Sequence, residues 1–179
     1  MKRSTFILTS LIGSHIATFA REIRYFRLSK PFKVEAGKDR FNDDFVYRGN
    51  HFLLKVSAKD TDGQLCIFDT TRVKKGGPRL HLHYSQDEWF FVLKGEFNFK
   101  VGDETFYLKE GDTLFGPRGI PHAFALTSEG EGRLLLTYQP AGSIEEFFKE
   151  ARGMTNPTEE QSKELFKKHG MELLGSPMD

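Results

Sequence analysis

The sequence predicts an all-β fold, a sandwich or barrel of short strands, followed by a helical tail. Three observations predict it. Short runs of β-branched and aromatic residues recur between about Phe26 and Pro140; Gly, Asp, Asn and Pro punctuate them; and two helix-start signals follow the last run. At 179 residues the chain suits one domain of ordinary size, long enough to bury a core without disulfides.

In chain order, residues 1–20 read differently from the rest. Lys2 and Arg3 precede an uncharged stretch from Ser4 to Ala20 that is rich in Phe, Ile and Leu and closes on small residues. That order predicts a signal peptide and hence export to the periplasm or the extracellular space. An N-terminal arm on a cytoplasmic protein is the alternative. The stretch is short for a membrane span and His15 interrupts it, so no stable span is expected in the mature chain.

The barrel is expected over residues 21–142. Its strand candidates are His51 to Ser57, Leu65 to Thr70, Glu88 to Leu93, Phe97 to Val101, Phe106 to Leu108, Ala123 to Thr127 and Arg133 to Gln139. The clearest hairpin joins Phe97–Val101 to Thr105–Leu108 through Gly102-Asp103, with Phe97, Phe99 and Val101 on one face that should be core. No internal repeat appears, which favours one barrel over two fused ones.

Residues 143–179 read as a helical extension. Ser143-Ile144-Glu145-Glu146 predicts a capping box before Phe147 and Phe148, and Asn156-Pro157 followed by Glu159 opens a second helix ending near His169-Gly170. Both helices should pack outside the barrel, with Leu165 and Phe166 turned inward and the charged face solvated.

Composition removes some function classes. Lys plus Arg number 26 against 25 Asp plus Glu, so no excess of positive charge exists to neutralise nucleic-acid phosphates. The single cysteine, Cys66, lies in an alternating run and reads as a buried strand thiol, not a nucleophile. His15, His51 and His169, each isolated, read as surface or hydrogen-bonded residues.

The chemistry concentrates between Gly76 and His122. Residues two apart on a strand share a face, so His81 and His83 can present both imidazoles to one ion while Leu82 turns away. The polar run Tyr84-Ser85-Gln86-Asp87 suits a turn that returns Glu88 beside them, and the Gly- and Pro-rich segment from Gly111 to Pro121 delivers His122 onto a new strand. Three imidazoles and a carboxylate buried together would be costly without a cation, so His81, His83, Glu88 and His122 predict a divalent metal site. Nitrogen and oxygen ligands suit iron, manganese, nickel, cobalt or zinc equally.

Period-two alternation puts Phe90 and Val92 on the face of Glu88, and Phe124 and Leu126 on that of His122, which predicts an apolar, partly aromatic substrate pocket. Tyr84 is added as a pocket residue. Arg79 and Arg118 lie near enough to bind a hydroxylated or anionic ligand, although a solvated rim is the simpler reading for them. Trp89 and Phe91 point the other way, toward either the outer helices or a second subunit.

The run His81-x-His83-x4-Glu88-x6-Gly95 resembles the first cupin motif, and Gly111-x5-Pro117-x-Gly119-x2-His122 resembles the second. The resemblance implies a single-domain cupin, a double-stranded β-helix or jelly-roll barrel, with homodimerisation as family habit. Pro140-Ala141-Gly142, the Glu- and Phe-rich helix after it and the closing Gly170–Gly175 look like the small bacterial cupins labelled quercetin-dioxygenase-like. By that likeness the expected activity is dioxygenation of an aromatic or enolisable small molecule, with Glu88 as both ligand and catalytic base. A metal-dependent isomerase or epimerase of sugars or keto acids, and a non-catalytic sensing barrel, are the alternatives. The sequence departs from the family pattern at Lys75, where a glycine is usual, and at Leu126, where an asparagine is usual.

Overall fold

The computed structural model describes residues 30–178. The expected signal peptide and His15 lie outside the described residues. The compact unit spanning Lys33–Asp179 carries eleven described strands and two helices.

The strands are β1 (Phe45–Tyr47), β2 (Asn50–Val56), β3 (Cys66–Arg72), β4 (Arg79–His83), β5 (Asp87–Lys94), β6 (Glu96–Val101), β7 (Glu104–Lys109), β8 (Thr113–Gly116), β9 (His122–Leu126) and β10 (Gly132–Gln139). Helices α1 (Ile144–Gly153) and α2 (Glu159–Lys168) follow, and β11 (Met171–Pro177) ends the chain. They form two antiparallel sheets, a six-stranded one ordered β1-β2-β3-β10-β5-β8 and a five-stranded one ordered β11-β4-β9-β6-β7. This is the jelly-roll arrangement that the cupin resemblance implies, and a case of the sandwich or barrel the strand pattern predicts.

The predicted hairpin forms in the predicted register. Val101 pairs with Glu104 and Phe97 with Leu108, closing on Gly102 at φ +59°, a left-handed value that glycine adopts without a Cβ clash. Phe97 and Phe99 are fully buried. They stack into the inter-sheet core with Phe90 and Phe124, the Phe90–Phe99 and Phe99–Phe124 ring centres lying 4.8 and 5.1 Å apart.

A second aromatic cluster joins α1 to the large sheet. Phe148 packs 4.7 Å from Phe52 and 5.1 Å from Phe68. Glu145 of α1 accepts hydrogen bonds from the Ser57 hydroxyl at 2.9 Å and the Ala58 N–H at 2.5 Å, anchoring the helix at the loop after β2.

Two features of the tail differ from expectation. Ser143 makes no capping hydrogen bond to its own helix; its hydroxyl lies 3.1 Å from His169 Nδ1 at the end of α2, so it ties the two helices together instead. The real capping box is at Thr158 and Gln161. The tail is also not helical to its end, because Met171, Glu172 and Leu173 pair with His83, Leu82 and His81 as an edge strand.

Cys66 is fully buried, and burial, reinforced by the nearby Glu145, pushes its thiol well above the usual range. Such a thiol is inert at neutral pH.

Candidate metal centre

The two sheets supply the four candidate ligands together. β4 carries His81 and His83, β9 carries His122, and β5 carries Glu88 from the opposite sheet. His81 and His122 are direct cross-strand partners. The three-residue turn after His83 passes the chain from the small sheet to the large one, which brings Glu88 back beside the imidazoles.

Each of the four offers a ligand atom, and these atoms all lie within 4.8 Å of one another. All four side chains are buried, Glu88 at 3% exposure. Such a cluster could hold one metal ion.

The hydrogen bonds around the rings favour this. His81 Nδ1 lies 2.7 Å from the Arg79 carbonyl, His83 Nδ1 2.7 Å from Gln86 Oε1, and His122 Nδ1 3.1 Å from the Ile120 carbonyl. Each oxygen accepts from an N–H, so each Nδ1 carries the proton and each Nε2 is left with its lone pair, the ligating form. Gln86 is fixed in turn, since its amide nitrogen donates to the Pro140 carbonyl at 2.9 Å and to the Ala141 carbonyl.

A buried His83 Nε2 then has no hydrogen-bond partner, and His122 Nε2 lies 3.0 Å from Glu88 Oε2 with no proton left to share. A cation among these atoms satisfies them all. Burial, and then the neighbouring His122 and His83, hold His81 down to about 3, so it stays neutral at physiological pH. Burial works to raise the Glu88 carboxyl, but the ring nitrogens of His122 and His83 beside it outweigh that and hold it below the usual carboxylate range.

Beside the ligands lies a cavity of about 240 Å³, which His81, His83 and Glu88 all line. Its walls include Phe52, Phe124, Phe147, Phe148 and Phe166, with basic side chains beside them. Both helices therefore contribute wall as well as cover.

Of the five residues expected in the pocket, Phe124 lines it and four do not. Phe90, Val92 and Leu126 face inward as alternation requires, but they are buried in the inter-sheet core. Phe90 lies edge-on to His122 at 5.9 Å and buttresses the ligand. Alternation assigns a face of a strand; it says nothing of how far along the barrel axis the cavity extends. Tyr84 is exposed, its hydroxyl donating to Glu172 at 2.8 Å outside the barrel.

Both arginines hold surface carboxylates, although Arg79 also lines the cavity. Arg79 is bidentate to Glu159 at 2.6 and 2.9 Å, and Arg118 to Asp87 at 3.0 and 2.7 Å. Sequence reasoning missed Tyr138 and Arg72, both buried and both lining the cavity. Tyr138 pairs across strands with Glu88, and burial followed by that carboxylate pushes its phenol well up, so it remains a hydrogen-bond donor. Inward parity on β10 and β3 was the available signal for both.

A two-sheet antiparallel barrel that gathers three histidines and a glutamate into one cluster is similar to the cupin arrangement. Residues 70–138 match the family described as Cupin domain. An uncharacterized protein of Methanocaldococcus jannaschii is 37% identical over 43 residues, which is 24% of this chain and 34% of that protein; the match thus spans about a third of the relative's length.

Among solved structures, an RmlC-like cupin from Shewanella frigidimarina aligns with a TM-score of 0.50 at 22% identity, covering 63% of this chain and 93% of that one. KdgF from Halomonas sp. aligns at TM-score 0.48 and 19% identity, over 55% and 87% of the two chains. The Streptomyces protein Pac13 with uridine aligns at 0.48 and 15% identity, over 63% and 84%.

Proposed function

We propose that this cupin is a metal-dependent dioxygenase acting on a small aromatic or enolisable molecule. The observation that carries the reading is the cavity: the face formed by His81, His83 and Glu88 opens onto about 240 Å³ lined in part by phenylalanine and tyrosine rings. That volume is below the roughly 300–1,000 Å³ of drug-sized ligand sites, which suits a one-ring or short-chain occupant.

A divalent redox metal, when bound by the four ligands, would polarise a phenolic or enolic oxygen and allow the electron-rich substrate to react with O2. The chain's own groups do the rest. Glu88, ionised at neutral pH, is placed to accept the substrate's acidic proton. Tyr138, protonated, is placed to donate a hydrogen bond to the developing oxyanion. Phe124 and Phe147 exclude water and stack on a flat substrate.

Oxygen uptake by metal-loaded protein with catechols, β-diketones and flavonols tests this, with the His81→Ala/His83→Ala double variant as control. Uptake that disappears in the control supports oxygenation. One equivalent of bound metal without uptake on any substrate rejects it in favour of isomerisation or sensing.

Export and self-association belong to the same proposal. Among the described residues no helix is long and apolar enough to cross a membrane, and cell fractionation tests the export expected from residues 1–20. The outer face of β5 and β8 leaves Trp89 38%, Phe91 41% and Phe115 42% exposed, while α1 packs on β1 and α2 on β11. Among the described residues the helices do not cover them; a second copy is the proposed cover, and sedimentation analysis of wild type against Trp89→Glu tests it.

A further inference from the structure

We propose that Arg72 is an anion-binding residue of the cavity, and that the molecule bound there carries a carboxylate on an aromatic or apolar body. The inference deepens the reading of this cavity as the substrate site. Arg72 ends β3 on the inward side, in step with Cys66, Phe68 and Thr70, all buried. It is 6% exposed and lines the cavity. Its guanidinium carbon sits 4.5 Å over the centre of the Phe124 ring.

What sets Arg72 apart is a buried donor that no acceptor meets. Its Nε is buried with no hydrogen-bond acceptor among the described residues. Arg79 and Arg133, by contrast, are each bidentate to a carboxylate. Glu88 is the one carboxylate among the described lining residues, and its Oε2 belongs to the candidate metal cluster, 3.0 Å from His122 Nε2 and 3.4 Å from His83 Nε2. Burial lowers the Arg72 pKa only to about 10, so it keeps its charge at neutral pH.

A buried guanidinium with free donors is costly until an anion meets it, and its fork matches a carboxylate. Arg48 and Lys74, also lining the cavity, reinforce the positive field. The Arg72 fork is planar and lies over the Phe124 ring, which suits a planar carboxylate on an aromatic or apolar body.

The test is binding by calorimetry, on both metal-loaded and metal-free protein, of benzoate against benzamide, hexanoate against hexanamide, and inorganic phosphate. At least one acid should bind roughly tenfold or more tighter than its neutral isostere, the gain typical of a charge-assisted hydrogen bond. Arg72→Met should abolish that preference and Arg72→Lys retain part of it. No preference in either pair on wild type overturns the proposal, and that arm requires no variant to fold.

A preference that survives in Arg72→Met overturns it too, by assigning the anion to the metal. Phosphate binding in place of both acids overturns the carboxylate. The metal-free arm keeps this result separate from the oxygenase reading: acid binding there, with no oxygen uptake after loading, leaves Arg72's role intact while the proposed activity fails.

Discussion

At the scale of single residues, the site depends on groups one step behind the ligands. Gln86 touches no candidate ligand atom, yet it fixes the tautomer of His83 and is itself held by two carbonyls. Gln86→Leu should therefore weaken metal affinity about 10- to 100-fold with the fold intact, as measured by competition with a chromogenic chelator alongside circular dichroism. Gly77 matters by having no side chain: a Cβ there would stand 1.5 Å from the Phe124 carbonyl oxygen. β4's approach to β9 depends on that closeness. Gly77→Ala should cost about 3 kcal/mol or more, since the clash is with backbone, and urea denaturation measures it. The four ligands were legible in the sequence because two of them sit at i and i+2 and the other two follow turn-forming runs. Arg72 and Tyr138 carried only inward parity on their strands, which assigns a face but not a depth along the barrel.

At the scale of elements, the strand that carries two histidines is held from one side chiefly by the end of the chain. β4 meets β9 at the single His81–His122 pair, whereas β11 pairs with it at Met171, Glu172, Leu173 and Pro177. A chain ending at Gly170 loses those backbone bonds and buried Met171 and Leu173. It should lose several kcal/mol of stability and release metal more readily, with the thermal midpoint and chelator competition as the readouts. The seven strands expected from β-branched and aromatic runs all form, within about two residues at their ends. β11 was illegible for a physical reason. Met171-Glu172-Leu173-Leu174 follows a helix directly and carries no β-branched residue, so only its partner β4 makes it a strand. The Ser143 cap failed similarly, since a tertiary contact with His169 outcompeted the local one.

At the scale of the whole molecule, the barrel gathers ligands from both sheets, so metal binding and folding are coupled. Wild type should gain thermal stability on metal addition and lose it with a chelator, by about 2.7 kcal/mol at a free metal concentration 100 times Kd. Glu88→Gln should blunt that response, because it removes the one anionic ligand. The depth of the cavity and the source of its walls were properties of the assembled barrel: Phe147 and Phe166 come from helices whose place over the cavity no local pattern shows. The measurement that tests the central claim most directly is elemental analysis of the purified protein beside the His81→Ala/His83→Ala variant. One equivalent of iron, manganese, nickel, cobalt or zinc in wild type, absent from the variant, is the predicted result; wild type that stays metal-free after incubation with each of these ions would contradict it.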